Sequence, residues 1–132
     1  MKQRLTVFLC STDADLAEER VLDAVRRLEL QHYSMEFFDA RADLPIDTCL
    51  GEVRRSDVLV VVVGHRYGNL VPELAVSFSE AEYREGQRLG KPCLVYLRDE
   101  NAPILIKYVE RDPEKLRLLR MHEIRTVQGV ST

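Results

Sequence analysis

Glu82 is the residue of this chain whose position best suits it to chemistry. It follows Ser79 by one helical turn, in a stretch where Phe78, Ala81, Glu85 or Gly86, and Leu89 recur at helical spacing. Glu82 falls at or beside that inward stripe. A carboxylate held there near the ends of strands is a catalytic candidate. The plainer reading is that Glu80, Glu82 and Glu85 only complement the helix dipole, at about a few tenths of a kcal/mol each. His65 and Arg66, set between Gly64 and Gly68, could bind phosphate or carboxylate, and a surface turn explains them nearly as well. Ser11 and Thr12 could offer hydroxyls and backbone N–H groups to an anion at a helix start, or serve only as a cap. His32, His65 and His122 are scattered, so no Ser/His/Asp or Cys/His set can be assembled.

These residues need elements to hold them. Leu5 to Leu9 is β-branched and aromatic enough for a strand. Thr12 with Asp15 then forms a capping-box pattern ahead of Ala17, Val21, Ala24, Val25 and Leu28 at helical spacing. Ser34 to Phe38 reads as a second strand, and Pro45 opens a helix with Ile46, Leu50 and Val53 on one face. Asp57 to Val63 is a continuous apolar run, as expected of a central strand buried on both faces of a parallel sheet. About fourteen residues from Gly64 to Ser77 follow with no regular pattern, longer than the roughly 2 to 6 usual between strand and helix. A helix from about Phe78 to Leu89 has Ser77 and Glu80 as its capping box, and Gly90 and Pro92 end it. Cys93 to Leu97 is a fourth strand, Asp112-Pro113 opens a helix to about Met121, and Ile124 to Val127 reads as a short fifth strand.

This order predicts one α/β domain over residues 3–128: a three-layer flavodoxin-like or TIR-like sandwich with a five-stranded parallel sheet in the order 2-1-3-4-5. Ligands of such sheets bind outside the carboxyl ends of the strands, where the strand order reverses. The segments expected there are Cys10 to Asp13, Asp39 to Asp43, and Gly64 to Ser77. No helix remains after the fifth strand, so the chain reads as the amino-terminal module of a longer protein.

Composition narrows the function further. At 132 residues with a formal net charge of -3 and interspersed signs, the chain carries no basic footprint for nucleic acid. No run approaches the roughly 20 apolar residues of a membrane span. Cys10, Cys49 and Cys93 are far apart in apolar surroundings, as reduced thiols of a cytoplasmic protein would be, with no zinc pattern. Neither GxGxxG nor GxxxxGK[ST] is present, which argues against a dinucleotide dehydrogenase or a P-loop enzyme and leaves no cofactor implied.

Taken together, Phe8 to Thr12, Asp15-Leu16 with Glu18-Glu19-Arg20, Met35 to Phe38, Cys49-Leu50, Arg55-Ser56-Asp57, Gly64 to Gly68, Ser77 to Tyr83 and Leu89 to Pro92 resemble the domain of unknown function 4062 family. That resemblance implies a signalling or effector module, joined to NACHT-type NTPase or repeat modules in larger proteins, some of them defence proteins. Its partners would be those downstream domains or further copies of itself. More distantly, Ser79-x-x-Glu82 with Gly90-Lys91-Pro92 is similar to the T-x-x-E helix and G-K-P strand start of nucleoside deoxyribosyltransferases, and NAD-cleaving TIR domains also carry a helical Glu. The similarity implies an N-glycosidase with NAD or a nucleotide as substrate. Glu82 would be nucleophile or oxocarbenium stabiliser, Ser79 would orient it or touch the sugar, and Ser11, Thr12, Arg66 and Tyr67 would bind the substrate. A non-catalytic TIR-like interaction domain is the competing implication.

Overall fold

A computed structural model describes residues 3–11, 33–39, 45–97 and 109–130. In chain order these form β1 (Gln3–Ser11), β2 (Tyr33–Asp39), α1 (Ile46–Arg55), β3 (Val58–Val63), β4 (Leu70–Val71), β5 (Val76–Ser77), α2 (Phe78–Arg88), β6 (Cys93–Leu97) and α3 (Pro113–Val130). The expected helix after Thr12 lies outside the described residues.

The chain is mixed α/β. Four strands pair in the order β2-β1-β3-β6, every neighbouring pair parallel. Parallel neighbours need crossovers, which is why a helix stands between β2 and β3 and another between β3 and β6. Alternate residues point to opposite faces. Phe8, Cys10, Leu59, Val61 and Val63 meet Val53 of α1, Tyr83 of α2 and Leu119 of α3 on one face, and Val7, Leu9, Val60 and Val62 cluster on the other. The run Val58 to Val63 is thus central, with Leu59 to Val63 buried on both faces and Val58 half-buried at its start, as its unbroken apolar character demands.

Two expectations change. Ile124 to Val127 is not a fifth strand, because it continues α3, so a five-stranded sheet is not formed by those residues. Asp112 starts this helix by accepting the Glu114 N–H at 2.9 Å and the Lys115 N–H at 3.3 Å, with Pro113 at the first helical position. Leu119, His122 and Thr126 are fully buried at helical spacing, a period that overrides the β-branched character of the segment. Gly64 to Ser77 is also not uniformly irregular: β4 and β5 close a small antiparallel hairpin, Leu70 opposite Ser77 and Val71 opposite Val76.

Local contacts explain several sequence signals. Asp57 joins the start of β3 to β1, its N–H donating to the Thr6 carbonyl at 2.8 Å and its carboxylate accepting the Thr6 N–H at 2.9 Å. In Gly90-Lys91-Pro92, Gly90 takes the left-handed conformation (φ 69°) that ends α2. Lys91 then reaches back to donate to the carbonyls of Arg54, at 2.8 Å, and Ser56, at 2.5 Å, neutralising the carbonyl end of α1.

Candidate functional site

Helix α2 carries its residues past the sheet from the carboxyl ends of the strands inward. Gly86 fixes the depth, since a Cβ there would fall 2.5 Å from Leu59 Cδ2, and only a residue without a side chain lets α2 lie so close to β3. One turn earlier the helix is level with the pair Cys10 and Val61, two strand residues nearer the carboxyl ends. That turn presents Glu82. Its side chain is fully buried, and neither carboxylate oxygen has a hydrogen-bond partner among the described residues. Burial pushes its pKa up to about 8, and burial together with the nearby Glu82 carboxyl raises the Cys10 thiol as well. Glu82 is therefore held mainly as the neutral acid at pH 7. Ser79, on the same side of the helix, is also buried with its hydroxyl unpartnered among the described residues.

The opposite side of α2 is saturated with partners. Glu80 Oε1 accepts the Tyr67 hydroxyl at 2.7 Å, while Oε2 meets Arg125 at 2.8 Å and pairs with Arg84. The Tyr67 oxygen accepts the Ser77 N–H at 3.0 Å, and Ser77 Oγ accepts the Glu80 N–H at 3.1 Å. The predicted capping box is thus present with a phenol inserted into its reciprocal half. Burial and the Glu80 bond hold the Tyr67 hydroxyl up at about 12. His122 of α3 stands edge-on to Tyr83 with ring centroids 5.6 Å apart, and its Nδ1 is 3.9 Å from Glu80 Oε1, beyond hydrogen-bond distance. Burial takes its pKa down to about 4, so it is a neutral ring in the core.

A cleft of about 570 Å³ opens beyond the carboxyl end of β3. Arg66, Asn69, Glu110, Arg111 and Lys115 are among its lining residues. Its two walls are fastened together: the Glu110 N–H donates to the His65 carbonyl at 2.9 Å, and Glu110 Oε1 accepts the Tyr67 N–H at 3.0 Å.

The sequence candidates therefore divide among three places. Glu82 and Ser79 share one buried side of α2. Tyr67 is committed to Glu80, Ser77 and Glu110, and Arg66 is exposed at the cleft. Ser11 is half-buried at the end of β1, with Val62 as its β3 partner, and Thr12 lies outside the described residues. Sequence reading missed Glu80 as the hub, and Arg111 and Lys115 as cleft residues. The capping-box pattern signalled Glu80, but only as a first-turn acid. No group of three His, Cys, Asp or Glu residues suited to a metal is present among the described residues.

A family model described as "Domain of unknown function (DUF4062)" matches residues 6–126 of the chain. No curated protein and no solved structure matches it.

Proposed function

This chain belongs to the DUF4062 family, and we propose that it is a signalling or effector module of a larger protein, with a nucleotide-directed N-glycosidase site built on Glu82. One observation carries the reading. A carboxyl group that is fully buried without a hydrogen-bond partner among the described residues costs folding free energy, roughly 1–3 kcal/mol for a neutral group, and such groups concentrate at functional sites. Ser79 beside it, equally unpartnered among the described residues, supplies a hydroxyl for a sugar. The parallel order β2-β1-β3-β6 supports a ligand at the carboxyl ends of the strands, between β1 and β3 where the order reverses.

The protonated resting state of Glu82 bears on the substrate. A neutral acid is a poor nucleophile, and a cationic ring nearby would favour its ionised form. The N-glycoside of NAD brings such a ring. When its C1′–N bond breaks, the electron pair passes to the ring nitrogen, nicotinamide leaves neutral, and positive charge develops on the ribose opposite the carboxylate. Water then supplies the hydroxyl at C1′ and releases a proton. NAD is thus favoured over neutral nucleosides in this reading.

The test is incubation of wild type and Glu82→Gln with NAD and with nucleosides at high protein concentration. Release of nicotinamide by wild type alone supports the reading, and turnover by neither defeats it. A non-catalytic interaction domain is the second reading. It is favoured by the outward side of α3, where Met121, Ile124 and Val127 are exposed. Concentration-dependent association abolished by Ile124→Lys, without turnover, would select it.

A further inference from the structure

We propose that the cleft lined by Arg66, Arg111 and Lys115 is a binding site for a multiply charged phosphate, of the diphosphate class found in nucleotides. The inference rests on the strand ends being a ligand site, but not on any bond being broken at Glu82.

Charge is the first argument. Three cationic side chains converge on one concavity in a chain whose formal net charge is -3. They come from separate segments: Arg66 follows β3, whereas Arg111 just precedes α3 and Lys115 stands in its first turn. Glu110 is the acid among the described lining residues. One of its oxygens accepts the Tyr67 N–H and its own N–H holds the His65 carbonyl, so it joins the two cationic segments. Asp112 stands nearby with Oδ1 engaged by the first N–H groups of α3. The anion would therefore be gathered by side chains and not by the helix end.

Shape and rigidity add to this. Pockets of roughly 300–1,000 Å³ suit small ligands, and this cleft, at about 570 Å³, lies within that range. Gly68, with φ 94°, makes the turn beside Arg66 in a conformation that side chains disfavour. Immediately before it, Tyr67 is fully buried and fixed at both its N–H and its hydroxyl. Arg66 thus extends from a turn anchored on either side, and a fork anchored in that way suits the oxygens of phosphate. The lining has no aromatic side chain among the described residues, so recognition should fall on phosphate and not on a stacked base.

The experiment measures binding of inorganic pyrophosphate, ADP and adenosine by titration calorimetry at low and at physiological salt. Wild type, Arg111→Glu, Lys115→Glu and Glu82→Gln are compared, with Arg120→Glu, an exposed α3 position outside the cleft, matching the change in net charge. Pyrophosphate and ADP should bind wild type within about threefold of each other, adenosine should not bind, and added salt should weaken the binding. Each cleft reversal should lower affinity at least tenfold, with Arg120→Glu and Glu82→Gln near wild type. Equal losses in Arg120→Glu and the cleft variants would reduce the effect to a general field and overturn the site, as would binding of adenosine as tight as ADP or no binding of pyrophosphate. Binding that survives in Glu82→Gln, whatever the outcome of the NAD assay, separates failure of the glycosidase reading from failure of this one.

Discussion

The hydroxyl of Tyr67 donates to Glu80 across 2.7 Å, and its oxygen takes the Ser77 N–H at 3.0 Å, so one phenol satisfies both ends of the first turn of α2. Because all three residues are fully buried, no water can readily replace the phenol. Tyr67→Phe is expected to destabilise the fold by about 2–4 kcal/mol, since it strands a buried carboxylate oxygen and a buried N–H. Urea unfolding measures this, and a loss below about 1 kcal/mol would contradict the relay. In a double-mutant cycle with Glu80→Gln, the two changes should be strongly non-additive.

Two buried groups set opposite pH dependences. Glu82 is raised from 4.5 to about 8, so its contribution is complete below about pH 4.5 and is lost as pH rises through about 8. The slope approaches about 1.4 kcal/mol per pH unit. His122 is lowered from 6.5 to about 4, so its contribution is complete above about 6.5 and is lost as pH falls through about 4. Glu85, lowered by its bonds to Arg88 and Arg54, adds to the acid side. Between about pH 4.5 and 6.5 the Glu82 and His122 slopes offset each other, and above that range stability should fall until about pH 8. Unfolding free energy measured from pH 4 to 9 should lose that alkaline decline in Glu82→Gln and keep the acid one. An unchanged alkaline slope in the variant would rule out Glu82 as its source.

Lys91 should matter through α1. Replacing it by Gln removes a charge that satisfies two terminal carbonyls. Because the side chain is only half-buried, the expected cost is about 1–2 kcal/mol. Hydrogen exchange should quicken in the last turn of α1 before it does in α2. Faster exchange in α2 alone would contradict the assignment.

The thiols provide a check on burial. Cys10 and Cys49 are buried and Cys93 is half-buried, and burial raises both Cys10 and Cys93 above the ordinary thiol range. At neutral pH, iodoacetamide should leave Cys10 and Cys49 unmodified in the folded protein, modify Cys93 slowly, and reach all three cysteines in urea. Rapid labelling of folded Cys10, read by mass spectrometry, would show that the strand end is open.

The strands of the main sheet were legible because their signals are local, whereas β4 and β5, two residues each, gave none. Val58 to Val63 can only be a doubly buried strand, and Ser77, Gly90 and Pro92 mark the limits of α2. Ile124 to Val127 misled because Ile, Thr and Val favour strands locally, whereas α3 is decided by what Leu119, His122 and Thr126 bury. At the candidate site, the inward phase of Glu82 could be read from spacing within one helix. The union of Tyr67, Glu80, His122 and Arg125 could not, because it joins three separate segments, and the approach of Arg66 to Arg111 and Lys115 depends on the same packing.

The all-parallel sheet also constrains how the chain can be made. Gln3 meets Tyr33, Val7 meets Val58, and Leu59 meets Cys93, so no described strand of the main sheet folds back on its immediate described successor as a hairpin. Of these strands β1 is made before the others, yet its second partner is not complete until Val63 has been synthesised. Until then its apolar edge stands open, and sheet formation must wait on distant pairings that close slowly. On this topology, the danger in biosynthesis lies less in a weak final core than in the interval before β3 arrives. A nascent chain stalled short of residue 63 would be the form most in need of a chaperone.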